Sequence, residues 1–551
     1  MKKVLFVLLI IVCICALCSC DGQSITYIAT EGGYIEGELH QENEFSPVRA
    51  VANDGYIFLG WSDGVAEATR TDVAPQGNIK IKANFAPKTY SVKYNSEHGG
   101  SVEGNLDQTI SHGSSSKPVK AVADLGYKFL CWSNGEQTEE IVVSPKEDIT
   151  LTAIFVEDAL NLPIISIYTE DSKAISTKEE YVKCKVSVSN TDSEYILSDE
   201  NGKIKLRGNT TSKLPKSPYK LKFDEKIDLF GNGKSKTWTL IANYMDCSLI
   251  RNYIAYSLGA EFDNLNFTTS FKNAEVYVNG KYDGVYLICE QVEAGTNRVD
   301  IDENYDSADT GYLIEMDSRA PQEGYENIDY FSIREGELVT NYAIKSPDPE
   351  EDGFSGAHVE FIKNYVQQCM TALDGNDFED VCALMDVYSF ADGYILDELL
   401  HCVDIGYSSF YMYKDKDGKL SRGPIWDYDL SIGNCSYQDN AVKPDYLWAK
   451  QANLWYTKLF KFDEFSEIVA NRLSELEDVI TTVIENCHKE VLNHKDSFNR
   501  NFERWKILGK KSTDYSPKNI YKIKTWEGHV DYVINWLSNS LENLKTCYQK
   551  N

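Results

Sequence analysis

"HCVDIGYSSFYMYKDKDGKLSRGPIWDYDL", residues 401 to 430, poses the problem that the rest of the chain has to solve. Asp404 follows a helix-like run, "FADGYILDELLHC", and Asp427 and Asp429 stand two apart among Trp426, Tyr428 and Leu430. Carboxylates in so apolar a setting are costly unless a cation sits with them. An extended "PIWDYDL" aims Asp427 and Asp429 the same way, because side-chain direction in a strand repeats every second residue. Both then face one site, and Mg²⁺ is ordinarily held by one or two protein carboxylates together with phosphate oxygens and water. Phosphoryl transfer also needs a carboxylate near the attacking hydroxyl and a cation on the phosphates. His401 stands three before Asp404, and Asp427 follows Asp404 by 23 residues.

Working outward, residues from Leu162 to about Val359 read mainly as strands. "LPIISIYTE" and "EYVKCKVSVSN" alternate, and "KNAEVYVNGKYDGVYLICEQVE" is a hairpin around Asn279-Gly280. "SLIRNYIAYSLG" (248–259) reads as a helix. Beyond Val359 the chain reads as largely helical, with long amphipathic patterns in "FSEIVANRLSELEDVITTVIENC" and "WEGHVDYVINWLSNSLENLKTC". Strands followed by helices predict one large α+β domain. "FGNGKSK" (230–236) lacks the P-loop spacing and reads as a turn.

Four blocks of this region resemble the spore coat protein H (CotH) kinase family: "LRGNTTSKLPKSPYKLKF" (206–223), "WTLIANYMDCSLIRNYIA" (238–255), "VYVNGKYDGVYLICEQVE" (276–293) and the stretch 397–433. The resemblance implies an atypical protein-kinase-like fold over 160–551, with a helical C-terminal part from about 445. It also implies transfer of phosphate from ATP, with Mg²⁺ or Mn²⁺, to Ser or Thr of a protein substrate. It gives Asp404 the role of catalytic base and assigns metal to Asp427, Asp429 and Ser409. Ser409 stands where such loops carry Asn, and its hydroxyl is a shorter, weaker metal ligand. For the nucleotide phosphates the resemblance points to Lys220, with Lys222, Lys216 and Arg207 behind it; "YKLKF" as a strand puts Lys220 and Lys222 on one side. Glu290, at the end of "VYLICE", falls where a kinase-like chain passes the adenine. Arg251 either pairs with a cleft acid or ties its helix to the sheet.

Before this domain a unit occurs twice. "VANDGYIFLGWSDG" from Val51 and "VADLGYKFLCWSNG" from Val122 share nine of fourteen positions. "EGGYIEG" (31–37) answers "HGGSVEG" (98–104), and "NIKIKANF" (78–85) answers "DITLTAIF" (148–155). The alternation and glycine turns predict two small β-rich repeats, 25–87 and 88–156, with Trp61 and Trp132 as core anchors. They resemble the divergent internalin-B-type repeats of bacterial surface proteins, which implies a β-grasp-like fold and a spacer or adhesive role.

The first twenty residues read as a lipoprotein signal peptide. Lys2 and Lys3 precede an apolar run too short for a membrane span, and Leu17-Cys18-Ser19-Cys20 resembles a lipobox. The expected location is the exported face of a bacterial cell membrane, through a lipid anchor at Cys20. Without Lys2 and Lys3 the net charge is −32, which argues against a nucleic-acid partner. The ten cysteines beyond the leader show neither CxxC nor zinc spacing and read as buried thiols. Two other readings compete. One is a non-catalytic pseudokinase that serves as an adhesive surface-binding lipoprotein. The other is a carboxylate-pair hydrolase using Asp404 with Asp427.

Overall fold

Alternating apolar residues and glycine turns make residues 25 to 157 strands throughout. The computed structural model describes residues 23–124, 127–157, 162–322 and 330–548, so the signal peptide and the anchor at Cys20 lie outside it. The chain forms two compact units, Met1–Ala159 and Leu160–Asn551.

The first unit holds the two repeats. In one, Ile25–Ala29 runs parallel to Ile79–Pro87, flanked by His40–Gln41 and Tyr56–Trp61. In the other, Thr89–Ser96 runs parallel to Ile149–Glu157, flanked by Asp107–Ser111 and Tyr127–Trp132. Trp61 and Trp132 are 3% and 0% exposed. Each indole N–H donates to a carbonyl six residues on, Glu67 at 3.0 Å and Thr138 at 3.1 Å, so neither buried donor is orphaned. The repeated glycine pair has a steric cause. A Cβ at Gly33 or Gly100 would lie 2.4 Å from the ring of Phe85 or Phe155.

The second unit opens with seven strands: β1 (Ile164–Thr169), β2 (Val182–Ser189), β3 (Leu197–Leu206), β4 (Tyr219–Asp228), β5 (Lys234–Ile241), β6 (Phe271–Val278) and β7 (Lys281–Glu290). They close into a barrel in the order β1-β2-β3-β4-β5-β7-β6, with β6 parallel to β1. Ile165, Val186, Ile204, Leu221, Trp238, Val276 and Ile288 fill it. The Asn279-Gly280 turn joins β6 to β7 with both residues at positive φ. Helix α1 spans Arg251–Ala260, three residues shorter at its start than the periodicity predicts, because Leu249 takes φ +62°.

The remaining residues surround a five-stranded antiparallel sheet. Its strands are β8 (Tyr312–Met316), β9 (Tyr330–Glu335), β10 (Leu338–Ser346), β11 (Phe410–Lys414) and β12 (Ser421–Arg422), in the order β9-β10-β8-β11-β12. The chain is thus not simply strands and then helices. β11 and β12 return after helices α2 (Gly356–Asp374) and α3 (Val387–Leu400). All five residues of β11 are buried, which erases the alternation that would have announced a strand. The longer helices that follow include α4 (Asp463–Asn493), α5 (Lys495–Arg504) and α6 (Trp526–Tyr548). Phe465, Val469, Leu473, Leu476, Ile480, Val483, Cys487 and Val491 give α4 one continuous buried face. The ten cysteines are free, and seven are buried. Among the described residues no helix is long and apolar enough to cross a membrane.

Removing the anchor of one repeat tests its independence as a core. Trp132→Ala is expected to destabilise the second repeat by about 3–5 kcal/mol. Urea unfolding of the isolated repeat pair, followed by circular dichroism, measures it.

Candidate active site

Strand ends and loops of the second unit enclose a cleft of about 760 Å³. Asp404, Ser409, Asp427 and Asp429 all line it, although they come from three separate turns. Asp404 begins a short 3-10 turn after α3. Ser409 precedes β11, and the two aspartates follow β12.

The loop bearing Asp427 and Asp429 is not the extended strand that its alternation suggested. Pro424 has no N–H for the ladder, so β12 stops at Arg422. Asp427 takes φ +69° and Ile432 φ +50°, left-handed conformations that are unfavourable for residues other than glycine, most of all for a β-branched one. Neighbouring elements hold this shape. The Tyr428 N–H donates to Asn252 Oδ1 of α1 at 2.8 Å, and its hydroxyl donates to Asp397 Oδ1 of α3 at 2.5 Å. Arg251 donates from Nε to the Ser431 carbonyl at 2.9 Å and from Nη2 to that of Ile432 at 3.2 Å. The same guanidinium is ion-paired with buried Asp246. Arg251 therefore ties its helix to the acid loop rather than to the sheet, and the acid that it pairs with does not line the cleft. Asn434 Nδ2 adds a bond to the Asp429 carbonyl at 2.8 Å.

The three carboxylates repel one another. Burial, then Asp427, pushes the Asp404 pKa up to about 7. Burial raises that of Asp427 against the opposing pull of Arg207 and Arg319. Burial, then Asp427 and Asp404, holds Asp429 well above the carboxylate range. Such crowding is relieved by a cation, so the donor set fits a divalent metal. Among the described residues, however, no three His, Cys, Asp or Glu side chains are assembled to hold one unaided. The Ser409 hydroxyl hydrogen-bonds Asp427, and its backbone N–H donates to Glu315 Oε1 at 3.1 Å.

The cations differ from those that the sequence favoured. The alternation of β4 holds, with Leu221 and Phe223 inside the barrel. Lys220 and Lys222 therefore emerge on its outside, where the charge of Glu293 acts on Lys220, and neither lines the cleft. Arg207 does, with its guanidinium 5.2 Å over the Trp426 ring. Lys216 does as well, but it is almost wholly buried. Its Nζ donates to the Val285 carbonyl at 2.5 Å and to Asn501 Oδ1 at 2.9 Å, and burial lowers its pKa to about 7. Glu290 belongs elsewhere. It pairs with Arg298, accepts from the Ser270 N–H and faces a separate cavity of about 110 Å³. His401 also turns away. Its Nδ1 donates to the Ala441 carbonyl at 3.1 Å and its ring meets Trp536 edge-on.

Four charged cleft residues escaped the sequence reading: Glu315, Asp317, Arg319 and Lys345. Lys345 Nζ pairs with Glu315 at 2.9 Å, and Arg319 with Asp317 at 3.0 Å. The signal was present. "GYLIEMDSR" (311–319) sets two acids two apart in an apolar strand, the same signature that singled out Asp427 and Asp429.

The family model described as "CotH kinase protein" matches residues 204–544, and the one described as "Divergent InlB B-repeat domain" matches 23–89 and 90–159. Among curated proteins nothing matches.

Two outcomes follow from this geometry. Arg251→Met leaves Asp246 buried and unpaired and releases the acid loop, and is expected to cost about 3–5 kcal/mol in chemical unfolding. Burial holds the His401 pKa at about 4, below its usual 6.5. A depressed folded-state value gives stability that is present above about pH 6.5 and lost as pH falls through 4. His401→Gln should therefore flatten the fall in stability between pH 6.5 and 4 by up to roughly 3 kcal/mol, read from urea midpoints across that range.

Proposed function

The chain belongs to the CotH kinase protein family, and from that premise we propose an exported, lipid-anchored protein kinase that transfers the γ-phosphoryl group of ATP to Ser or Thr of surface proteins. One observation carries the proposal: Asp404, from the turn after α3, and Asp427 and Asp429, from the loop after β12, line a single cleft. The leader with its lipobox supports export and the anchor at Cys20, and the repeats support a place at the cell surface.

In this mechanism Asp404 accepts the proton of the attacking hydroxyl, the task of the kinase catalytic-loop Asp. Asp427 and Asp429 would hold Mg²⁺ or Mn²⁺, whose charge offsets that of the phosphates once it is bound. Arg207, held over Trp426, and the loop from Gly208 to Thr211 line the same cleft and would meet the phosphates there. Buried walls keep the groups fixed and strengthen their fields.

A second reading, a pseudokinase that binds without transfer, draws on Ser409. Its hydroxyl is engaged with Asp427, and it offers a second metal less than Asn would.

Nucleotide binding and transfer separate the two. Millimolar Mg²⁺-ATP should raise the melting midpoint of the wild type, since a ligand of the folded state stabilises it. Asp427→Asn should abolish that rise. Asp404→Asn should keep it while lowering transfer of labelled phosphate by about 10²–10⁴-fold. A rise in midpoint without transfer by the wild type favours the pseudokinase, and no rise at all removes ATP from both readings.

A further inference from the structure

If Asp404 is the base, the hydroxyl that it holds occupies the acceptor position. In this structure that hydroxyl is the chain's own. Tyr437 Oη donates to Asp404 Oδ1 at 3.5 Å and lines the same cleft as Asp427 and Asp429. The ring is half exposed, so the side chain reaches inward from the rim rather than forming part of the core. Its loop is held at both flanks. Asn434 is bonded to the Asp429 carbonyl, Ser436 Oγ donates to the Asp514 carbonyl at 2.7 Å, and Tyr515 meets the Tyr437 ring edge-on at 5.8 Å. A loop fastened to the acid turn on one side and to residues 514–515 on the other presents one phenol to the base.

We propose that Tyr437 is a phosphoacceptor of this kinase, modified in cis. The inference rests on the ATP-dependent reading above and adds to it a modification site. Tyr437 Oη attacks the γ-phosphorus of ATP and forms an O–P bond. The bond to the β–γ bridging oxygen breaks, ADP leaves with the electron pair, and Asp404 takes the phenolic proton. Prepositioning makes the step unimolecular, with an effective concentration far above that of any separate protein. The product carries about two negative charges beside Asp404. Repulsion then favours release of the loop from the cleft, which clears the acceptor position for an outside hydroxyl.

The full chain is incubated with Mg²⁺- or Mn²⁺-ATP beside a generic Ser/Thr-rich acceptor such as casein, and intact mass and fragment spectra are recorded. The expected result is a gain of about 80 Da, one phosphoryl group, mapped to Tyr437. It should appear at a rate independent of protein concentration and be absent from both Asp427→Asn and Tyr437→Phe, the latter at an unchanged melting midpoint. Phosphate on casein or on other residues of the chain, with Tyr437 unmodified, overturns this inference and leaves the kinase reading standing. A rate proportional to protein concentration overturns transfer in cis. No phosphate on any protein, with no thermal response to ATP, overturns both.

Discussion

Three carboxylates crowded into one cleft, Asp429 buried and Asp404 and Asp427 half-buried, is the constraint on which the second unit is built. Asp404, Asp427 and Asp429 each carry a desolvation cost, and Asp427 worsens that of the other two. Left to relax, such groups would turn outward to water. The structure prevents this by fixing backbone rather than side chains. Arg251 grips the Ser431 and Ile432 carbonyls, Asn252 takes the Tyr428 N–H, and Asn434 takes the Asp429 carbonyl. The left-handed residues Asp427 and Ile432 sit inside this net. Strain of this kind persists only where the surroundings over-determine it, as at sites built for binding. The Asp246–Arg251 pair serves the same end. It is fully buried, so it contributes little net stability, but its geometry sets where the acids point.

The final helices have a share in the cleft that their sequence position hides. Asn501 of α5 holds both Lys216 Nζ and the Val285 N–H of β7. Arg500 pairs with Glu275 of β6 at 3.0 Å, and the Trp505 indole donates to the Asp283 carbonyl at 2.7 Å. Lys216 thus reaches the cleft from the barrel side while its position is set from near the C-terminus. A charge pressed toward neutrality by burial, with one carbonyl and one amide as partners, acts here as a strut between barrel and helix.

Much of this was legible in the chain. The repeats declared themselves through glycine and tryptophan spacing, and the structure supplies the cause in the Phe85 and Phe155 rings that occupy the space a Cβ would need. The hairpin at Asn279-Gly280 and the two long helices announced themselves through turn chemistry and period. Asp427 and Asp429 stood out because charge in an apolar run is expensive, and Asp404 through the family resemblance. What stayed hidden was whatever depends on tertiary closure. Period two put Lys220 and Lys222 on one side of β4, but only the closed barrel decides which side faces the cleft. Glu290 ends its strand as expected, yet Arg298, eight residues on, captures it. Glu315 and Asp317 carried the same signature as the chosen acids, but their sheet partner β11 lies about a hundred residues downstream.

Ser409 shows how such a departure is accommodated. Its φ of +61° lies in the left-handed region, where Asn is several-fold enriched and Ser is not. The backbone at this position therefore has the conformation suited to the Asn that the family comparison led one to expect, with a different side chain upon it. What holds the conformation in the absence of Asn is visible next door. Glu315 accepts the Ser409 N–H, and Lys345 in turn neutralises Glu315. A backbone kept in an unfavourable shape by a carboxylate and a lysine that also line the cleft ties the cost of the substitution to the site itself. The Glu315–Lys345 pair is thus a part of the acid cluster's support, reached from a strand that the catalytic-loop spacing alone would never have indicated.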